Sequence, residues 1–209
     1  IASKFNARKN QIYLLQGEKR IILDTNDEEG LINAFYSFYK DIKTICFVEG
    51  HGEKGLYGED GMTTVKNSLL NRAYEIRTIE LYEQETKGCE ILAIIGGTGN
   101  FINEEIEKVS NFKNVLIMFE DFGENLLSKW LESEGIIFSQ KYIYDSYGED
   151  WDPLIVLASP NSLTSHQAVV GIDEFILFPT AKAINDEKST WINSDLIYSG
   201  IQTWLESSG

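Results

Sequence analysis

Cysteine, histidine, proline and positive charge are all scarce in this chain. Among 209 residues there are two cysteines, two histidines and three prolines. Two cysteines do not build a disulfide framework. Cys46 and Cys89 each lie in or beside an apolar, strand-like run, so both are expected as buried free thiols acting as small hydrophobes. A bridge or a reactive thiol is the alternative, and the compartment is not readable from them. Two histidines, His51 and His166, leave few zinc ligand sets. The 18 Lys+Arg stand against 33 Asp+Glu, a net charge of −15. That field repels phosphate backbones and anionic membranes, which argues against nucleic acid as a partner. No run approaches the ~20 apolar residues of a membrane span, and no signal-peptide pattern opens the chain. The opening "IASKFNARKN" and the closing "WLESSG" read as those of an excised soluble segment. G-x-S-x-G and G-x-x-x-x-G-K-[ST] are both missing, which removes the nucleophile elbow and the P-loop.

What is present is the composition of a folded globular protein, 43% hydrophobic with 12% aromatics. "QIYLL" and "RIILD", separated by "QGEK", predict a β-hairpin. "TNDEEGLINAFYSFYK" predicts a helix capped by Thr25 or Asn26, with Leu31, Phe35 and Phe38 on its apolar face. "KTICFVEG", "CEILAIIGG" and "NVLIMFE" are continuous apolar runs, the mark of strands covered on both faces. "YEIRTIEL" alternates less cleanly and predicts a strand nearer an edge. Between them lie helical spacings: Met62, Val65, Leu69 and Ala73, then Ile106, Val109 and Phe112. "ENLLSKWLESEG" predicts a further helix ending at Gly135. Strands spaced by helices imply βαβ crossovers and a mainly parallel sheet. The expected fold is therefore α/β: a three-layer, Rossmann-like or flavodoxin-like core over residues 43–144. A hairpin and helix over 11–40 precede it. A strand-rich part over 152–207 follows, with "PLIVLAS", "EFILFP" and "DLIYSG" as strand candidates. No linker or repeat divides the chain, so residues 1–209 are read as one domain.

Ligands of open parallel sheets sit beyond the carboxyl ends of the strands. The residues expected there are Glu49, Gly50, His51, Gly52 and Glu53, then Gly96, Gly97, Thr98, Gly99 and Asn100, then Glu120, Asp121, Phe122 and Gly123. "IIGGTGN" joins a strand to a helix. It reads as an ordinary turn rather than a phosphate loop, since it lacks the full glycine order and its neighbours are acidic. His51 and Glu53, with Glu49, Glu120 or His166, are the metal alternative, but H-x-E on a loop lacks the fixed geometry of two histidines on one helical face. "YDSYGEDWDP" offers Asp145, Glu149, Asp150 and Asp152, without the spacing of a calcium loop, and reads as a solvated acidic loop. No catalytic residue, metal or cofactor is assigned. Gly50 and Gly52 let the chain leave the sheet sharply, and His51 and Glu53 then hydrogen-bond across that turn or to a partner.

"ICFVEGHGEKG" resembles the strand-plus-GHGE signature of the auxiliary, extracytoplasmic component of gliding-motility-type ABC transporters. The resemblance continues in order through "IYLLQGEKRIILD", "MTTVKNSLLNRAYEIRTIEL", "CEILAIIGGTGNFINEEIEKVSNF", "SHQAVVGIDEFILFPTAKAI" and "DLIYSGIQTWLESS", about residues 11 to 207. The chain departs from the family at Thr98, where a proline is common, and at "FKN" before Val115, where a Gly-Gly pair is common. The resemblance implies a relative of the class I glutamine amidotransferase fold without its catalytic triad. A similar domain opens an intraflagellar transport protein, with an implied role in assembly. It further implies a non-enzymatic domain on the extracytoplasmic face of the membrane, held by a membrane anchor in the parent protein. Its role would be to bind a partner, a small molecule or a peptide, or to scaffold the permease and ATPase subunits. The alternatives are a metal-dependent hydrolase centred on His51 and Glu53, and a small-ligand sensor at the strand ends.

Overall fold

Among the described residues, the apolar run at the head of the GHGE turn forms the most deeply buried strand. In the computed structural model Thr44–Val48 is buried at every position. The structure describes residues 12–16, 19–23, 28–39, 42–57, 61–72, 74–97, 99–118, 125–146, 152–185, 194–200 and 202–206. They divide into two compact units, residues 1–126 and 127–209. The architecture is mixed α/β, one parallel sheet accompanied by antiparallel ones.

The first unit opens with the expected hairpin, β1 (Tyr13–Gln16) paired antiparallel with β2 (Lys19–Ile22). Helix α1 (Glu28–Tyr39) follows; its expected caps, Thr25 and Asn26, lie outside the described residues. The parallel sheet is built from β3 (Thr44–Val48), β4 (Glu75–Ile79), β5 (Ile91–Ile95) and β6 (Val115–Met118), in the order β4-β3-β5-β6. Helix α2 (Thr63–Asn71) connects β3 to β4, and α3 (Asn103–Ser110) connects β5 to β6. Residues of one register line share a face of the sheet. Ile45 pairs with Ile91 and Phe47 with Ala93, and these side chains join Leu56 in the core, with Met62 and Leu69 packed on them.

Three expectations about packing are corrected. Leu31 and Phe35 of α1 are exposed and Ala34 is buried instead. The apolar residues form a broad stripe on this helix, so periodicity alone does not choose which edge of it turns inward. Val65 of α2 is likewise exposed; Ala73 lies outside the described residues. Strand β6 was expected to be covered on both faces, yet Leu116 and Met118 are 48% and 56% exposed. Among the described residues it pairs only with β5, so it stands at an edge of the sheet, where cover is one-sided.

Cys46 and Cys89 are joined by a disulfide with Cα atoms 5.7 Å apart. This corrects the reading of two free thiols. Cys46 pairs with Leu92 of β5, and Cys89 sits just before that strand. Strand β4 intervenes in sequence but lies on the other side of β3, and that sheet order brings the two sulfurs together.

In the second unit, α4 (Leu126–Ser133) begins at the boundary and ends as expected at Gly135, whose φ of 86° is open to glycine. Of the span 43–144 read as a parallel core, the parallel strands lie between Thr44 and Met118. Strand β7 (Ile137–Asp145) instead centres an antiparallel sheet, flanked by β10 (Lys182–Asn185) and β11 (Thr203–Glu206). β8 (Ile155–Ala158) and β9 (Ile176–Pro179) pair with each other, on the two runs expected to be strands. "DLIYSG" forms no strand; only an isolated bridge joins Ile197 to Leu163. Among the described residues no helix is long and apolar enough to cross a membrane.

Candidate functional site

The last backbone bond at the end of β3 runs from the Glu49 N–H to the carbonyl of Ile79, at 2.9 Å. Gly50 follows with φ 123° and Gly52 with φ 83°, conformations that side chains resist. The turn then folds onto its own carboxylate. The His51 backbone N–H donates to Glu53 Oε2 at 2.6 Å, and His51 Nδ1 meets Glu53 Oε1 at 2.9 Å. Beyond it, Glu53 bridges to Gly96, and the Lys54 N–H donates to the Ile95 carbonyl at 2.8 Å. The GHGE turn thereby adds a short antiparallel contact to the end of β5.

The glycine-rich turn after β5 closes over it. Gly96 and Gly97 have φ of 71° and 90°, and the Gly99 N–H donates to the His51 carbonyl at 2.8 Å. Phe101 stacks on the His51 ring, centroids 3.9 Å apart and planes 13° from parallel. Glu105, in the first turn of α3, places Oε2 3.0 Å from His51 Nε2 and accepts the Ile102 N–H at 2.9 Å. This is one arm of a capping box; Ile102 has no side-chain acceptor to supply the other. The His51, Glu53 and Glu105 side chains are only 9%, 1% and 6% exposed.

Both ring nitrogens of His51 thus face carboxylates. Both lie at hydrogen-bond distance, with the donor and acceptor roles of the ring set by its tautomer. A metal or a substrate would reach either nitrogen only by displacing Glu53 or Glu105. The arrangement fastens two loops to a helix terminus. The anion cradle conceivable at "GGTGN" also has a carboxylate against it: a Cβ on Gly97 would lie 3.2 Å from Glu53 Cγ.

The structure brings together Gly50, His51, Gly52, Glu53, Gly96, Gly97 and Gly99 of the residues expected at the strand ends. Glu49 is half-buried at the head of the turn. Thr98, Glu120, Asp121, Phe122 and Gly123 lie outside the described residues. His166, in the second unit, accepts the Ala168 N–H on its own Nδ1 at 3.1 Å and so closes a local turn. The acidic stretch from Asp145 to Asp152 is corrected in part: Asp145 is 1% exposed and accepts the Leu157 N–H, tying β7 to β8. Asp152 accepts the Leu154 N–H; Glu149 and Asp150 lie outside the described residues. Among the described residues no group of three His, Cys, Asp or Glu side chains could hold a metal.

Phe101 and Glu105 are the members of the site that the sequence does not single out. Glu105 had a signal, an acidic residue at the third position of a helix, but without a hydroxyl or amide at the cap the box pattern was incomplete. Gly99 has a steric reason: a Cβ there would lie 2.7 Å from both Cα and the carbonyl oxygen of His51. Those are backbone atoms and cannot swing away. Gly99→Ala is expected to cost about 1–3 kcal/mol, the usual cost of overpacking, read as a lower urea midpoint with an unchanged slope. An unchanged midpoint would mean the two turns are not in contact.

No protein-family model and no curated protein sequence matches the chain. Among solved structures, the chain is similar to one titled "mmIFT52 N-terminal domain", with a TM-score of 0.54 and 16% identity. The match covers 69% of this chain and 68% of that one. At that identity the likeness is one of fold.

Proposed function

We propose that the chain is a non-catalytic binding or scaffolding domain, the extracytoplasmic part of a membrane-anchored auxiliary component of an ABC transporter. The observation that carries the non-catalytic part is the engagement of both His51 nitrogens by Glu53 and Glu105. The most reactive-looking motif in the chain is thereby spent on joining loops. A hydrolase centred on His51 and Glu53 would need one of those nitrogens open. The Cys46–Cys89 bridge supports placement on the oxidising side of a membrane, since such bonds persist there and are rare in reducing compartments. The sheet order, with the second strand outside the first and the third and fourth beyond it, is that of flavodoxin-like sheets. This supports the finer reading of a glutamine amidotransferase-like relative without a nucleophile. Glu49 and Gly50, at the outer margin of the turn, belong to the edge through which a partner subunit, peptide or small molecule would be met. ATP hydrolysis is assigned to a separate ATPase subunit.

The test is affinity purification of the full-length protein from detergent-solubilised membranes, with protease protection of intact cells to place the domain. Permease and ATPase subunits are expected to co-purify, and the domain to be cleaved from outside. Recovery without any transporter subunit, or protection of the domain, would sink the assignment. Dialysis against EDTA is expected to leave the melting temperature unchanged. A stoichiometric metal lost together with stability would instead favour the hydrolase.

A further inference from the structure

The contacts of Glu53 are those a receptor makes to a bound carboxylate. One oxygen takes the His51 backbone N–H and the other takes the His51 ring, at 2.6 and 2.9 Å. The ring is held for that purpose from two directions, by stacking on Phe101 and by Glu105 at the far nitrogen. The wall beside the carboxylate is a glycine: a Cβ on Gly97 would stand 3.2 Å from Glu53 Cγ and 3.5 Å from Cδ. A backbone donor freed by glycine conformations, an oriented imidazole and a wall without a side chain make a built anion site. Its occupant is 1% exposed and comes from two residues down the chain.

We propose that the GHGE turn is a carboxylate-binding site closed by its own ligand, the Glu53 side chain. The chemical class it takes is a small monocarboxylate. The native turn therefore offers no vacancy to solutes, and the site opens only when the internal carboxylate is removed. Truncation of Glu53 to alanine deletes Cγ and the carboxylate group, the heavy atoms of one acetate ion. Acetate fits what is lost in both shape and charge. The proposal does not depend on the transporter reading, because it concerns only how this turn is held.

The experiment is chemical rescue of Glu53→Ala. Its melting temperature is expected to fall below that of the wild type, then to rise saturably with sodium acetate in the millimolar range. Sodium chloride at equal ionic strength is expected to give a smaller, non-saturating change. The wild type and Glu53→Gln, whose sites remain filled, are expected to respond to acetate no more than to chloride. If Glu53→Ala does not fold in buffer, the readout becomes the yield of folded protein on refolding in acetate against chloride. No gain over chloride by either readout overturns the proposal. An equal acetate response in Glu53→Gln or the wild type overturns it too.

Discussion

Replacing both Cys46 and Cys89 by alanine is expected to lower the unfolding free energy by ~4 kcal/mol at 25 °C, the chain-entropy value for a loop of this size. The bridge spans a sequence separation of 43 residues and encloses α2, β4 and the approach to β5. In the unfolded chain it forbids conformations in which those segments drift apart, and removing it returns that freedom. Cys46 is fully buried, so the lost sulfur adds a smaller packing cost in the same direction. Urea unfolding of the wild type with and without dithiothreitol, compared with the double variant, checks this. The reduced wild type and the variant should unfold at similar midpoints, well below that of the oxidised protein. A midpoint indifferent to reductant, with two thiols titrating in the denatured wild type, would show the pair unbonded.

His51→Ala is expected to cost ~3 kcal/mol, because two buried carboxyl groups each lose a hydrogen-bond partner, at about 1–3 kcal/mol apiece. The substitution removes the side chain that meets both Glu53 and Glu105, and it deletes the surface against which Phe101 stacks. Each carboxylate retains one backbone donor, His51 N–H for Glu53 and Ile102 N–H for Glu105, which keeps the loss from being larger. Both carboxyl groups then face the cavity left by the ring. Circular dichroism melts measure the loss, and hydrogen exchange is expected to localise it to the amides of residues 50–54 and 96–102. A variant as stable as the wild type, with its exchange pattern unaltered, would contradict the fastening role.

These effects differ in how far they are readable from the chain. The strands β3 and β5 announce themselves as short apolar runs because a parallel strand is covered on both faces. The hairpin is marked by a turn between two such runs, and the end of α4 by Gly135. Helix α1 shows the limit: Leu31, Ile32, Ala34 and Phe35 occupy neighbouring directions around it, and Ala34 is the one buried. Strands β10 and β11 carry weak patterns, "KAIN" and "TWLE", and are strands because β7 lies between them to pair with both. At the candidate site, the glycines and the H-x-E spacing were visible in the sequence. The partners that decide their chemistry, Phe101 and Glu105, lie about fifty positions away, with Glu105 separated from His51 by 54.

The sequence by itself determined local matters: the strands and helices of the parallel sheet, where glycine must turn the chain, and that no P-loop or nucleophile elbow is present. These follow from residue type and short-range period, so a few neighbours suffice to state them. The tertiary structure alone decided that Cys46 meets Cys89, that β6 stands at an edge, and that His51 is held between two carboxylates. Each of those depends on which strands lie side by side. Strand order is set by the packing of the whole sheet and is not written in the spacing along the chain.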